Sequence, residues 1–139
     1  MIIGFTGTQN GMTMLQLAAL RRLLVSLGQG NEFHHGDCIG ADAEAHEVAE
    51  SLGMFIVVHP PENSVKRAYK KGNIVRNSLP YLARNREIVL VSEFIIGCPK
   101  EATEQLRSGT WSTLRCALRE RKPYAVIKPS GEIEEHEIR

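Results

Sequence analysis

An α/β fold, with a parallel sheet covered by helices on both faces, is what this 139-residue sequence predicts. Two observations carry the prediction. Short apolar runs alternate with longer segments of helical periodicity, and the runs close on turns that bear glycine or proline.

Residues 1–6 form the first run, bounded by glycine, and read as a strand. Residues 13–27 place Leu15, Ala19, Leu23 and Leu27 four apart, with Arg21, Arg22 and Ser26 on another face, which is an amphipathic helix. Residues 32–36 are a weaker strand. Ala41, Ala45, Val48, Ala49 and Leu52 repeat the helical spacing, with Glu44, Glu47 and Glu50 outside and Gly53 as the stop. Residues 54–58 are a β-branched third strand, ended by His59-Pro60-Pro61 because proline cannot continue a central ladder. Residues 83–91 then read as helix, 94–97 as strand, 110–121 as helix and 124–128 as strand, giving five strands in all. The connection over residues 59–80 is long for a compact fold, and such loops are usually functional.

The length fits one domain, with a core over residues 1–128 and a polar, acidic tail over 129–139 that is either a frayed end or an added edge strand. Lys and Arg exceed Asp and Glu by only 17 to 16, so no global field exists for gripping long nucleic acid, and any anion site is local. Nucleic acid is therefore disfavoured as a partner, single-stranded DNA included, since aromatic stacking platforms are sparse. Met1 to Gly7 lacks the basic and long apolar parts of an export signal, and no run approaches the roughly 20 apolar residues of a membrane span. Three cysteines, Cys38, Cys98 and Cys116, are an odd count that suits reduced thiols, and a cytoplasmic protein is expected.

In open parallel sheets, ligands lie beyond the carboxyl ends of the strands. Gly4, Gly7, Gly36, Gly40 and Gly109 fall in turns at that edge, where glycine lets peptide N–H groups approach an anion and a helix start adds its dipole. The first turn matches neither a full dinucleotide nor a P-loop fingerprint. Charge gives a second indication: residues 63–86 hold Lys66, Arg67, Lys70, Lys71, Arg76, Arg84 and Arg86 and no acid. Most of residues 66–71 read as a solvated basic face, but Arg84 and Arg86 sit where a helix dipole opposes positive charge, and an anionic ligand would remove that conflict. Ser108-Gly109-Thr110 opens a helix, so its hydroxyls either cap that helix or hold phosphate. Trp111, in step with Leu114 and Leu118, suits a core or a subunit interface. Cys38, His59 and Cys98 each follow a strand, but no pair has zinc-ligand spacing, and neither a metal nor a resident cofactor is expected.

Through these residues the chain resembles the SLOG superfamily, the Rossmann-like group that includes the lonely-guy phosphoribohydrolases and DNA-processing protein A. The likeness covers residues 1–128 and rests on four pieces: the first-strand Gly-Thr turn, Gly36-Asp37-Cys38-Ile39-Gly40-Ala41-Asp42, Leu82-Ala83-Arg84-Asn85-Arg86, and Arg107-Ser108-Gly109-Thr110-Trp111. It implies a Rossmann-like three-layer sandwich with a mainly parallel five-stranded sheet in the order 3-2-1-4-5. It also implies a nucleotide or nucleotide-derived ligand held by Gly7, Thr8 and Gln9, by Asp37, Gly40, Ala41 and Asp42, by His59, by Arg84 and Asn85, and by Arg107, Ser108, Gly109 and Thr110.

One departure bears on chemistry. Phosphoribohydrolases of this group carry a glutamate four residues beyond the Gly-Thr pair's glycine, where this chain has Thr113. A hydrolase would need Asp37, Asp42, Glu87 or Glu104 in its place, within hydrogen-bond reach of the scissile N-glycosidic bond. Two functions remain open. One is a sensor or sponge that holds a small nucleotide, such as a cyclic or ADP-ribose-type signal, without turnover; the other is a nucleotide N-glycosidase. A homo-oligomer, dimer or higher, is expected in either case.

Overall fold

The computed structural model describes residues 1–137 of the chain. β1 (Ile2–Gly7) leads to α1 (Met14–Ser26), β2 (Glu32–His35) to α2 (Ala41–Ser51), and β3 (Phe55–Val58) follows. The connection after β3 holds one 3-10 turn at Ser64–Lys66 and a two-residue strand, β4 (Ile74–Val75). Then come α3 (Tyr81–Val91), β5 (Phe94–Cys98), α4 (Gly109–Arg119), β6 (Tyr124–Ile127) and β7 (Ile133–His136).

The sheet order is β4-β3-β2-β1-β5-β6-β7, parallel throughout except for the antiparallel pairing of β7 with β6. The expectation of five strands in the order 3-2-1-4-5 is thus corrected at both edges: the sheet has seven. β4 escaped notice because two residues cannot show alternation, although they extend β3 through Val57↔Ile74 and Val58↔Val75. β7 comes from the acidic tail, which resolves as an edge strand rather than a frayed end, with its glutamates outward where an edge tolerates charge. Residues 138 and 139 of that tail lie outside the described residues.

Helix starts follow from local chemistry. Thr13 Oγ1 accepts from Gln16 N–H at 3.0 Å and Gln16 Oε1 accepts from Thr13 N–H at 3.0 Å, a reciprocal cap that fixes the entry to α1. Gln16 is itself buried, and its amide donates to the carbonyls of Pro99 at 2.8 Å and Ile127 at 2.9 Å, tying α1 to the carboxyl ends of β5 and β6. Apolar residues of β1, β2 and β5 pack on one face against α1 and α2, with Ile3, Phe5, Leu20, Phe33, Ala45 and Ile96 fully or almost fully buried. On the other face Val89 of α3 and Trp111, Leu114 and Ala117 of α4 cover Ile95 and Val126. Trp111 therefore belongs to the core. No helix among the described residues is long and apolar enough to cross a membrane.

After β3 the chain crosses to the far side of β1 to lay down β5, so the winding direction reverses between β1 and β5. That reversal leaves a crevice at their carboxyl ends.

Candidate functional site

A cleft of about 840 Å³ opens at this crevice. Its floor is Gly7, Thr8, Gln9 and Asn10 after β1, one wall is the start of α4 at Ser108, Gly109 and Thr110, and Cys38, Pro61 and Tyr81 close the other side. Lys66, Lys100 and Arg107 stand on the rim, with Glu62 and Glu101 among them.

The starts of α2 and α4 at this edge differ. At α2 the Ala41 N–H donates to Thr8 O at 2.9 Å, and Asp42 Oδ2 accepts from Cys38 N–H at 3.1 Å. That turn is spent on the protein's own backbone. Gly40 makes the approach possible: its φ is +90°, and a Cβ there would run into the backbone of Gln9. Gly40→Ala is accordingly expected to cost about 2–3 kcal/mol through left-handed strain plus the collision, read as a lower midpoint in thermal or urea unfolding. At α4 Ser108 Oγ accepts from Trp111 N–H at 3.2 Å, so the capping alternative for Ser108 is realised. Gly109 and Thr110 still face the cleft with no acidic residue in the first turn. A helix start of this kind favours an anion.

Of the residues expected at the ligand, Gly7, Thr8, Gln9, Arg107, Ser108, Gly109 and Thr110 line this cleft together. Gly40 and Ala41 do not line it; they pack against the backbone of Gln9 and Thr8, which do. Arg84 is 2 % exposed and engaged internally: Nη1 donates to the carbonyls of Gly36 and, at 3.2 Å, His59. Its Nε donates to Asn85 Oδ1 at 2.7 Å. The conflict between its charge and the α3 dipole is thus answered by carbonyls beyond the ends of β2 and β3, and Arg86 answers the same conflict through Glu120 at 3.3 Å.

The four carboxylates considered as replacement acids are dispersed. Asp37 is buried in a left-handed turn, where Oδ1 accepts from Lys70 N–H at 2.9 Å and Oδ2 from Arg67 Nε at 3.2 Å. It holds the long connection to the end of β2. Glu87 lies 2.8 Å from His59 Nδ1, and His59 Nε2 is 2.8 Å from His34 Nδ1, so His59 has both nitrogens engaged away from the cleft. Burial pushes the His59 pKa down to about 4, outweighing the Glu87 hydrogen bond that pulls it up. Glu104 pairs with Arg115 at 2.8 Å beside a different groove, the one that also touches Trp111.

Asp42 is the exception. It lines a small inner chamber of about 30 Å³ with Arg84, Asn85 and Thr113, immediately behind the cleft. Gly7, Cys38, Tyr81 and Thr110 line both spaces. Asp42 is 5 % exposed, and its Oδ1 has no partner in hydrogen-bonding geometry. Burial pushes its pKa up to about 6, against the Arg84 charge and the nearby N–H groups of Cys38 and Gly36, which favour the ionised form.

Sequence reasoning missed Asn10, Tyr81, Lys100 and Glu101 as cleft residues. Lys100-Glu101 follow Cys98-Pro99, so the turn after β5 held the signal; Tyr81 had none beyond following Pro80. Lys66, read as part of a solvated face, reaches the rim because the 3-10 turn folds back and Ile39 N–H donates to Lys66 O at 2.9 Å.

No family model matches the sequence, and no curated protein matches it. Solved structures do. The molybdenum cofactor binding protein of the phototrophic bacterium Rippkaea orientalis superposes with a TM-score of 0.71 at 24% identity, over 91% of this chain and 76% of that one. The Moco carrier protein of Chlamydomonas reinhardtii gives 0.67 at 21% identity, over 90% and 74% of the two chains. DNA processing protein A of Helicobacter pylori, described for single-stranded DNA binding, gives 0.62 at 20% identity, over 91% and 64%. This chain shares their Rossmann-like fold.

Proposed function

We propose that the chain holds a small phosphate-bearing heterocyclic ligand, a nucleotide or a nucleotide-like pterin phosphate, in the cleft between β1 and β5 and releases it unchanged. The observation that carries this is the start of α4, where Gly109 and Thr110 line a ligand-sized cleft whose rim bears Lys66, Lys100 and Arg107, with no acidic residue in the first turn. The phosphate sits at that helix start, and the heterocycle lies along the β1 turn. Holding without turnover is supported by Thr113, a buried threonine whose hydroxyl donates to Gly109 O at 3.0 Å where a lonely-guy enzyme carries its glutamate. It is supported also by the internal engagement of Asp37 and Glu87. Fold neighbours named for binding or carrying the molybdenum cofactor, whose organic part is a phosphorylated pterin, make that cofactor the first cargo to try.

Mass spectrometry of small molecules carried through purification tests the proposal, with a single phosphate-bearing heterocycle expected at up to one per chain. Arg107→Ala and Lys66→Ala are each expected to weaken its binding about tenfold, the scale of one charge-assisted hydrogen bond. Unchanged affinity in both variants would place the phosphate elsewhere.

Hydrolysis of an N-glycosidic bond is the second reading, and one observation keeps it: Glu101 lines the cleft with Oε1 buried and unpartnered. Its signature would be release of free base from a nucleoside monophosphate, lost in Glu101→Gln.

A further inference from the structure

The inner chamber has features that the phosphate end of the site does not explain. Asp42 sits in it almost wholly buried, with Oδ2 fixed by the Cys38 N–H and Oδ1 unpartnered. An ionised carboxylate oxygen left without a donor in a buried place is costly. Such a group calls for a partner from outside the protein's own polar groups, a water, an ion or a ligand donor.

Tyr81 lines both the chamber and the cleft, together with Gly7, Cys38 and Thr110. Its ring lies 5.3 Å from the Arg84 guanidinium, and its hydroxyl rests against Gly109 so closely that a Cβ at that position would collide with it. Tyr81 is 48 % exposed, so nothing packs over its outer side. The phenol therefore occupies the mouth of the α4 start, the place assigned above to phosphate. A ligand that takes that place moves the phenol aside. The same movement joins chamber to cleft, because Tyr81 lines both.

We propose that the chamber behind Tyr81 is the second compartment of the ligand site, where Asp42 Oδ1 accepts a hydrogen bond from an N–H donor on the edge of the ligand's heterocycle. This rests on the phosphate-bearing ligand proposed above and specifies its other end. At about 30 Å³ the chamber admits a water-sized group, not a ring, so a ring N–H points into it while the rings themselves stay in the cleft. The class selected is a heterocycle with a lactam or amidine edge, in which ring N–H and exocyclic NH₂ stand side by side, as in guanine and pterins. Adenine, whose ring nitrogen on that edge is an acceptor, presents a lone pair to the carboxylate and is rejected.

The geometry makes Asp42→Asn a sharp probe. Cys38 N–H requires an acceptor at the Oδ2 position, so the asparagine oxygen stays there and its NH₂ takes the Oδ1 position, turning an acceptor into a donor. The test is calorimetric titration of the full chain with GMP, N1-methyl-GMP and AMP, with pyrophosphate as the probe of the phosphate end alone. Wild type is expected to bind GMP about tenfold to a hundredfold more tightly than either N1-methyl-GMP or AMP, the range of one hydrogen bond to a charged group. Asp42→Asn is expected to erase that preference and leave pyrophosphate affinity unchanged. Equal binding of the three nucleotides by wild type, with pyrophosphate or nucleotide binding intact, overturns the donor-reading chamber and leaves the phosphate cleft standing. Absence of binding by pyrophosphate and every nucleotide overturns both. The wild-type comparison holds even if the variant does not fold.

Discussion

Arg84→Ala is expected to cost about 3–5 kcal/mol of folding stability, the range for breaking a buried, fully engaged charged group. The side chain is 2 % exposed, and its guanidinium serves Gly36 O, His59 O, Asn85 Oδ1 and, at 3.5 Å, Cys38 Sγ. Truncation leaves buried carbonyls without a donor and removes the positive charge that favours ionised Asp42. It also opens a void at the junction of β2, β3 and α3. Arg84→Lys is expected to recover less than half of the loss, because one ammonium cannot reproduce the fork that spans these partners. Urea unfolding at pH 7 reads both. A midpoint for Arg84→Ala close to that of wild type would mean that the guanidinium is not the internal tie described here, and would return it to the role of a ligand anchor.

Acid is expected to destabilise the chain steeply between pH 6.5 and pH 4. His35 is fully buried, with Nδ1 accepting from Asp37 N–H at 2.9 Å and Nε2 2.9 Å from His46 Nδ1, and burial pushes its pKa down to about 3. His59 is held down at about 4, and burial lowers His34 as well. In each, the folded pKa lies below the unfolded one, so the unfolded chain takes up protons first and stability falls as pH drops through 6.5. By pH 4, His35 and His59 account for about 3 kcal/mol each at about 1.4 kcal/mol per pKa unit. Asp42 has the opposite sign: raised to about 6, it binds its proton first in the folded state and returns about 2 kcal/mol over the same interval. The net expectation is a loss of about 4 kcal/mol from pH 7 to pH 4, measured as a falling urea midpoint. A flat profile would contradict the burial of neutral imidazoles at these positions.

The alternation of apolar runs and helices made the layers of the fold legible, because each run is long enough to show its period. β4 is not, and β7 is too charged to read as anything but an edge or a loose end. Part of the cleft lining was legible too, since Gly7-Thr8 and Ser108-Gly109-Thr110 are local turns whose conformation the sequence nearly dictates. The internal partners of Arg84 were not legible for a physical reason: a helix-start arginine without a nearby acid looks unpaired in sequence, yet its partners are carbonyls 25 and 48 residues away, and carbonyls carry no sequence signature. Gly36 held a faint trace of that contact, because a Cβ there would come within 2.7 Å of the Arg84 guanidinium. Tyr81 and Glu101 were invisible because what they do depends on neighbours that only the fold supplies.

The most direct test of an intact-holding cleft is equilibrium dialysis of the protein against a panel of pterin and nucleoside monophosphates, with chromatography of the ligand recovered from the protein side. The expected result is saturable retention of at least one compound at no more than one per chain, recovered chemically unchanged and lost on Arg107→Ala. Free base accumulating in proportion to time and enzyme, or no retention of any phosphate-bearing heterocycle, would contradict it.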